Sequence, residues 1–151
     1  MSYRVIAVGQ KHDPALANAI ASYEKRLGRY GGVQWQLLAY SPLQGDAARR
    51  AESSSMREKV PDDDILVLLD ERGTQLASPV FAGKLDAWRA SGRRITFVIG
   101  GAYGVDDALR QRADYIWSLS PLVFPHQIVR LLLVEQLYRA HMVLENHPYH
   151  H

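Results

Sequence analysis

The 151-residue sequence contains no cysteine, and this absence excludes several classes of site. A disulfide framework, a thiolate-bound metal and a cysteine nucleophile all require the missing thiol. Long apolar runs are absent too, since none approaches the ~20 residues that a membrane-spanning helix requires. The first residues also lack the pattern of a secretory signal peptide. We therefore expect a cytoplasmic protein without a membrane segment.

The chain has little net charge, at +2, and that charge is unevenly distributed. Residues 1–50 hold seven basic residues against three acidic ones. Lys25, Arg26 and Arg29 cluster there beside two tyrosines, and such a cluster either meets phosphates or solvates a helix end. Five of the six histidines lie in the last 26 residues. Any contact with nucleic acid must therefore be local rather than a consequence of overall charge.

Short apolar segments alternate with helical segments along the whole chain. Strands are predicted at 3–8, 35–40, 65–69, 95–99 and 115–119, and helices at 13–27, 46–59, 78–88, 106–112 and 126–146. Several of the strands are apolar on both faces, which is typical of buried parallel strands. The pattern predicts an α/β fold with a mostly parallel sheet flanked by helices. The length suits one domain, residues 1–151, because no repeat or linker interrupts it.

The last predicted helix has apolar groups nearly all the way round. Between residues 128 and 134 only Arg130 is polar. A helix of this kind is buried on more than one side. The sheet can cover one side, and a second subunit is the natural cover for the other. We therefore predict a homodimer.

Two loops follow predicted strands at the edge where open α/β sheets bind their ligands. One is Gly100-Gly101-Ala102-Tyr103-Gly104, in which glycine allows a ligand to approach the main chain closely. Its spacing does not match a dinucleotide or phosphate-binding fingerprint. The other loop, residues 120–125, is uncharged and contains two prolines, which suits main-chain and apolar contacts with an adenine. Taken singly, the glycine loop is a weak signal of function, and a loop like residues 120–125 more often has a purely structural role.

A few polar residues near the C-terminus are candidates for chemistry. His126 and Arg130 are four residues apart on the last predicted helix and share a face. An arginine within an apolar run requires a partner or an anionic ligand. Tyr149 and His150 lie in a histidine-rich tail without a carboxylate or cysteine, so proton handling or base stacking suits them better than metal binding. We expect no metal site.

The motifs also occur in a characteristic order: Phe97-Val98-Ile99-Gly100-Gly101-Ala102-Tyr103-Gly104, Ser118-Leu119-Ser120, Phe124-Pro125-His126-Gln127-Ile128-Val129-Arg130, Glu135-Gln136-Leu137-Tyr138-Arg139-Ala140 and Pro148-Tyr149-His150. In this order the chain resembles the ribosomal RNA large subunit methyltransferase H (RlmH) family of the SPOUT, or α/β-knot, methyltransferases. Residues 5–9 and 23–27 fit as well, so the resemblance spans nearly the whole chain. It departs from the usual pattern at Ala102-Tyr103 and at the terminal His151.

The resemblance implies a SPOUT fold with a C-terminal trefoil knot, a homodimer and S-adenosylmethionine as methyl donor, with S-adenosylhomocysteine as product. It implies methylation of N3 of a pseudouridine in 23S rRNA on the assembled ribosome. The cofactor contacts carried over by motif are Leu69, Gly101, Ser120, Pro121, Leu122, Val123, Phe124 and Pro125. Since N3 must lose a proton, His126 and His150 are candidates for proton handling. Arg130 is the candidate for a developing oxyanion or a phosphate, and Tyr149 for orienting the base.

Three alternatives remain open on the sequence. A non-catalytic ribosome-binding or assembly factor could retain the knot fold, and it would have no affinity for S-adenosylmethionine. A different nucleotide-binding α/β protein, such as a flavodoxin-like module, is disfavoured by the missing phosphate fingerprint. The same kind of enzyme could instead act on tRNA or on a uridine.

Overall fold

The computed structural model describes all 151 residues, and a sheet of five parallel strands lies at its centre. The strands are β1 (Tyr3–Val8), β2 (Val33–Leu38), β3 (Ile65–Gln75), β4 (Ile95–Ile99) and β5 (Tyr115–Ser118), in the order β2-β1-β4-β3-β5. Every neighbouring pair is parallel. The predicted α/β class with a parallel sheet is therefore confirmed.

Helices cover both faces of this sheet. They are α1 (Pro14–Leu27), α2 (Gly45–Glu58), α3 (Ser78–Ala90), α4 (Asp107–Arg112) and α5 (His126–Leu144), with a short 3₁₀ turn (Gly28–Tyr30) after α1. Helices α1, α3 and α5 share one hydrophobic cluster with Val5 and Ala7 of β1. Ile6 and Val8 point to the opposite face, where they share a cluster with α2 and α4. The alternation along β1 thus places a core on each side of the sheet.

Local chemistry explains where the first helix begins. The Asp13 carboxylate accepts a hydrogen bond from the Ala15 amide at 2.8 Å, and Pro14 occupies the first helical position. Both features favour a helix start, as the sequence indicated. Strand β2 lies two residues earlier than predicted, because its register follows β1 from Tyr3 opposite Val33 to Val8 opposite Leu38.

Strand β3 is longer than predicted and contains a bulge. Its apolar residues end at Leu69, where the sequence predicted the strand to end, but pairing resumes further on. Leu69 and Thr74 both pair with Trp117, so residues 70–73 bulge out of the sheet. A Cβ atom at Gly73 would lie 2.5 Å from the Ile116 carbonyl oxygen. Only glycine permits this close approach, and the bulge projects at the end of the sheet where ligands are expected.

Two further expectations concern membranes and chain topology. No helix in the structure combines the length and apolar character needed to cross a bilayer. The C-terminal trefoil knot that the family resemblance implies stays a prediction.

A buried histidine joins the C-terminal end of α5 to the sheet. The Tyr3 hydroxyl lies 2.7 Å from His141 Nε2, and the Tyr30 ring stacks on the imidazole at a centroid distance of 3.9 Å. Burial raises the pKa of Tyr3 to about 12, so its hydroxyl is the donor. Burial, aided by the nearby Arg89 guanidinium, lowers the pKa of His141 to about 4. The folded protein therefore holds His141 neutral.

We predict that this histidine makes the protein less stable in mild acid. Below its ordinary pKa of ~6.5, His141 gains a proton in the unfolded chain but not in the folded one. The free energy of unfolding should fall by up to about 3 kcal/mol between pH ~6.5 and pH ~4, and no further below that range. Urea titrations across this range measure the loss. In His141→Gln the acid-dependent loss should shrink, and an unchanged pH profile in that variant would contradict the assignment.

Candidate functional site

A cleft of about 620 Å³ opens at the carboxyl ends of β3, β4 and β5. Its volume lies within the ~300–1,000 Å³ typical of small-molecule sites. The lining residues are Leu69, Asp70, Glu71, Ile99, Gly100, Gly101, Ala102, Gly104, Val105, Trp117, Leu119, Ser120, Leu122, Val123, Phe124, Pro125, His126, Gln127 and Val129. Three segments therefore meet here: the β3 bulge, the glycine loop after β4, and the loop between β5 and α5. This is the edge at which parallel sheets bind ligands.

The structure brings most of the predicted site residues together. The predicted cofactor contacts Leu69, Gly101, Ser120, Leu122, Val123, Phe124 and Pro125 all line the cleft, and so does His126. Pro121 lies within the same loop but does not line the cleft. Arg130, Tyr149 and His150 are outside it.

The glycine loop is a tight turn with no spare space behind it. The Gly104 amide donates to the Gly101 carbonyl at 3.0 Å, and the two residues form an antiparallel bridge. Gly104 has a φ of 76°, which favours glycine. A Cβ atom at Gly100 would lie 2.8 Å from Val105 Cγ1, and one at Gly101 would lie 2.8 Å from Glu52 Oε1. The loop therefore presents bare main chain to the cleft because side chains would collide behind it.

The loop between β5 and α5 is held by serine hydroxyls and leaves main-chain groups free. Ser118 Oγ donates to the Ser120 carbonyl at 2.9 Å, and Ser120 Oγ accepts from the Leu122 amide at 3.1 Å. No hydrogen bond within the protein reaches the carbonyls of Pro121, Leu122 or Val123. Leu122 and Val123 are strongly exposed. The loop can therefore offer carbonyl acceptors beside apolar side chains.

Sequence reasoning missed the acidic wall of the cleft. Asp70 and Glu71 occupy the β3 bulge and line the cleft. The Asp70 carboxylate accepts from the Arg72 amide at 2.8 Å and forms an ion pair with Arg110 of α4. The Glu71 carboxylate is exposed and forms neither a hydrogen bond nor an ion pair with another side chain. The sequence did contain a signal for this wall, since Asp70 and Glu71 directly follow the apolar strand predicted at residues 65–69.

His126 stands at the first position of α5 and faces the loop after β2. Its Nε2 lies 3.2 Å from the Tyr40 hydroxyl, whereas its Nδ1 is buried without a hydrogen-bond partner. Burial lowers the pKa of His126, the Arg130 guanidinium lowers it further, and Glu52 opposes them. His126 is therefore neutral at neutral pH and can accept a proton. Tyr40 was not identified from the sequence, where it ends an ordinary apolar strand.

Arg130 is an internal anchor, which differs from its predicted contact with an oxyanion or phosphate. Its side chain is fully buried and donates to the carbonyls of Val8 at 2.9 Å and Gly9 at 3.0 Å. It also donates to the Lys11 carbonyl at 3.0 Å and contacts His12 Nδ1 at 3.2 Å. Because no part of the guanidinium is exposed, it offers no surface to a ligand. It joins the beginning of α5 to the carboxyl end of β1.

The C-terminal tail packs against α1 and α5 instead of the cleft of the same protomer. The Tyr149 hydroxyl donates to Glu135 Oε1 at 3.0 Å and lies 3.0 Å from the Tyr23 hydroxyl. Burial raises the pKa of Tyr149, so this hydroxyl stays protonated. His150 Nδ1 accepts from Arg139 at 3.1 Å. Neither Tyr149 nor His150 therefore lines the cleft.

The site contains no arrangement suited to a metal ion. The structure holds no group of three or more histidine or acidic side chains that could ligate one.

Comparison with known proteins gives a consistent result over the whole chain. The family model described as "Predicted SPOUT methyltransferase" matches residues 1–150. The chain is 40% identical over 154 residues to the ribosomal RNA large subunit methyltransferase H of Thioalkalivibrio sulfidiphilus, with 99% of both chains covered. It is 42% identical over 156 residues to the protein of the same name from Neisseria meningitidis serogroup B, again with 99% of both covered.

Among solved structures, the SpoU methyltransferase AviRb from Streptomyces viridochromogenes, in complex with AdoMet, is also similar. The likeness covers 93% of this chain and 58% of that one, with a TM-score of 0.46 and 14% sequence identity. A similarity of this size supports no inference about the site.

Proposed function

Because the chain belongs to the ribosomal RNA large subunit methyltransferase H family of SPOUT methyltransferases, we propose that it methylates N3 of a pseudouridine in 23S rRNA, in the cytoplasm and on the assembled ribosome. It is an rRNA methyltransferase, and S-adenosylmethionine is its methyl donor. The observation that carries the finer proposal is a neutral histidine, His126, at the rim of the cleft. An imide N–H must lose its proton before N3 can attack, and a neutral imidazole can take that proton.

The residues present fit the methyl donor. The free carbonyls of Leu122 and Val123 suit the amino group of an adenine, and apolar side chains of the cleft lie in the same loop. Gly101 presents bare main chain to the cleft, because a Cβ atom there would collide with Glu52 Oε1 behind the loop. When bound, S-adenosylmethionine supplies an electrophilic methyl group on its sulfonium. We expect Leu69, Gly101 and the loop from Ser120 to Pro125 to hold it.

His126 is the residue we place in proton transfer. Its Nδ1 is inaccessible, so Nε2 is the nitrogen that a substrate proton can reach. Tyr40 Oη lies beside this nitrogen and keeps the ring oriented. Arg130 acts indirectly, because it fixes the first turns of α5 and with them the position of His126.

We further propose that the enzyme works as a homodimer that associates through α5. Ile128 is 37% exposed near the beginning of this helix, and Leu122 and Val123 are exposed just before it. Leu122 and Val123 also line the cleft, so this apolar surface reaches its mouth. The roles assigned to Tyr149 and His150 then belong to the partner's cleft.

We predict that Ile128→Asp weakens the dimer. A carboxylate buried in an apolar interface without a partner is costly, so the dissociation constant should rise at least about tenfold. Sedimentation across a micromolar concentration series measures this shift. Val80→Asp is the matched control, because Val80 is exposed on α3. A wild-type protein that stays monomeric at these concentrations would refute the dimer.

Ribosomes from a strain lacking the protein provide the test of function. We expect purified protein with S-adenosylmethionine to restore one methylpseudouridine in 23S rRNA, as measured by mass spectrometry of nucleosides. A methyl group found only on tRNA or on a uridine would change the target. Absence of methylation, together with no calorimetric binding of S-adenosylhomocysteine, would favour the non-catalytic assembly factor.

A further inference from the structure

A buried carboxylate lies beneath the cleft and is not explained by the fold alone. Glu52 of α2 is only 5% exposed. Its Oε2 accepts a hydrogen bond from the Ser41 amide at 3.0 Å, whereas its Oε1 is buried and has no hydrogen-bond partner. A buried carboxylate oxygen without a donor is costly. Because the unpartnered oxygen of Glu52 lowers the stability of the fold, we infer that this residue has a function other than packing.

The unpartnered oxygen lies directly behind the glycine loop. A Cβ atom at Gly101 would be 2.8 Å from Glu52 Oε1, so the Gly101 backbone rests against this carboxylate. Cα–H groups make only weak contacts with oxygen, which leaves most of the negative charge unneutralised. The next residue, Ser53, accepts a hydrogen bond from the Asp106 amide at 2.9 Å. Helix α2 therefore supports the loop at its first glycines and at its end.

The other oxygen of Glu52 reaches the opposite side of the site. This oxygen accepts the hydrogen bond from the Ser41 amide, and Ser41 directly follows Tyr40 in the chain. The Tyr40 hydroxyl in turn lies 3.2 Å from His126 Nε2. One carboxylate thus joins the loop expected to hold the methyl donor to the segment that orients the proposed base.

We propose that Glu52 is a positioning residue for methyl transfer, which sets the place of Gly101 in the cleft and supplies a negative charge that supports proton uptake at His126. This inference rests on the proposed function. Glu52 does not line the cleft, so it acts through its neighbours.

The charges around His126 allow this effect to be isolated. Arg130 faces the imidazole from α5 itself, Tyr40 from the loop after β2, and Glu52 from α2. Asp70 and Glu71 lie across the cleft on the β3 bulge. Burial and Arg130 lower the pKa of His126, while Glu52 raises it. Removal of the Glu52 charge should therefore lower the pKa of His126 further.

The experiment compares Glu52→Gln with Glu52→Asp and with Glu58→Gln, in the full-length protein. Glu52→Gln preserves the shape and removes the charge, whereas Glu52→Asp preserves the charge and withdraws it from Gly101. Glu58 is exposed on the same helix, so its variant controls for a change of charge on α2. Calorimetry measures the affinity for S-adenosylhomocysteine, NMR titration measures the pKa of His126, and thermal melting measures stability.

We expect Glu52→Gln to bind S-adenosylhomocysteine about tenfold more weakly or worse, because a displaced loop is costly, and to lower the pKa of His126. Glu52→Asp should lose affinity but keep a pKa of His126 close to that of the wild type. Glu58→Gln should match the wild type in both.

A Glu52→Gln protein with unchanged affinity and unchanged His126 titration overturns the proposal, and so does one that only melts at a lower temperature. Should Glu52→Gln fail to fold, unchanged affinity in Glu52→Asp overturns it as well. If the wild type itself does not bind S-adenosylhomocysteine, the proposed function fails, whereas the titration of His126 still tests Glu52.

Discussion

Methyl transfer by the His126→Gln variant should be slower than in the wild type by about 10²–10⁴-fold, the usual contribution of a positioned acid or base. Glutamine can still contact the Tyr40 hydroxyl, but it cannot take the N3 proton at neutral pH. Single-turnover methylation of ribosomes from a deletion strain measures the rate. Affinity for S-adenosylhomocysteine should stay close to that of the wild type, because the lost step is proton transfer.

The pH dependence of this reaction gives a second readout. Since burial lowers the pKa of His126, the neutral base persists into mild acid, below its ordinary pKa of ~6.5. The wild-type rate should fall only as the pH drops through that lowered value, and this acid limb should vanish in His126→Gln. His150→Gln, tested in parallel, distinguishes the two histidines. Near-full activity of His126→Gln would exclude His126 as the base.

The Arg130→Met variant should lose about 2–6 kcal/mol of stability, because two buried carbonyls would each lose a donor at a cost of about 1–3 kcal/mol. Methionine fills a similar volume, yet the carbonyls of Val8 and Gly9 lose their donor in a buried setting. Urea unfolding at fixed protein concentration measures the change, and the fixed concentration is needed because a dimer contributes to apparent stability.

Arg139→Met is the matched control on the same helix. Arg139 pairs with Glu135 at 2.6 Å, but its side chain is partly exposed, and exposed ion pairs contribute about 0–1 kcal/mol. The two losses should therefore differ several-fold. Equal losses would show that Arg130 is not an internal anchor, and a stable Arg130→Met protein without methylation would restore its predicted contact with an anion.

Several features could be predicted from the sequence because they depend on neighbouring residues. The alternation of apolar strands and helices determined the parallel α/β sheet, and Asp13-Pro14 determined the beginning of α1. Glycines after one strand and prolines after the next marked the two loops that line the cleft. The extension of β3 to Gln75 was missed, because the pairing that resumes at Thr74 depends on Trp117, far away in the chain.

The tertiary structure alone decided which side chains meet. Glu52 and Gly101 are far apart in the chain, and no periodicity indicates that the carboxylate of one rests against the backbone of the other. Arg130 stood out in the sequence as a polar residue in an apolar helix, and it was interpreted as a contact for an oxyanion or a phosphate. The buried carbonyls of Val8 and Gly9 at the end of β1 made it an anchor. Local sequence determines secondary structure and loop chemistry, whereas the partners of a buried charge depend on how distant elements pack.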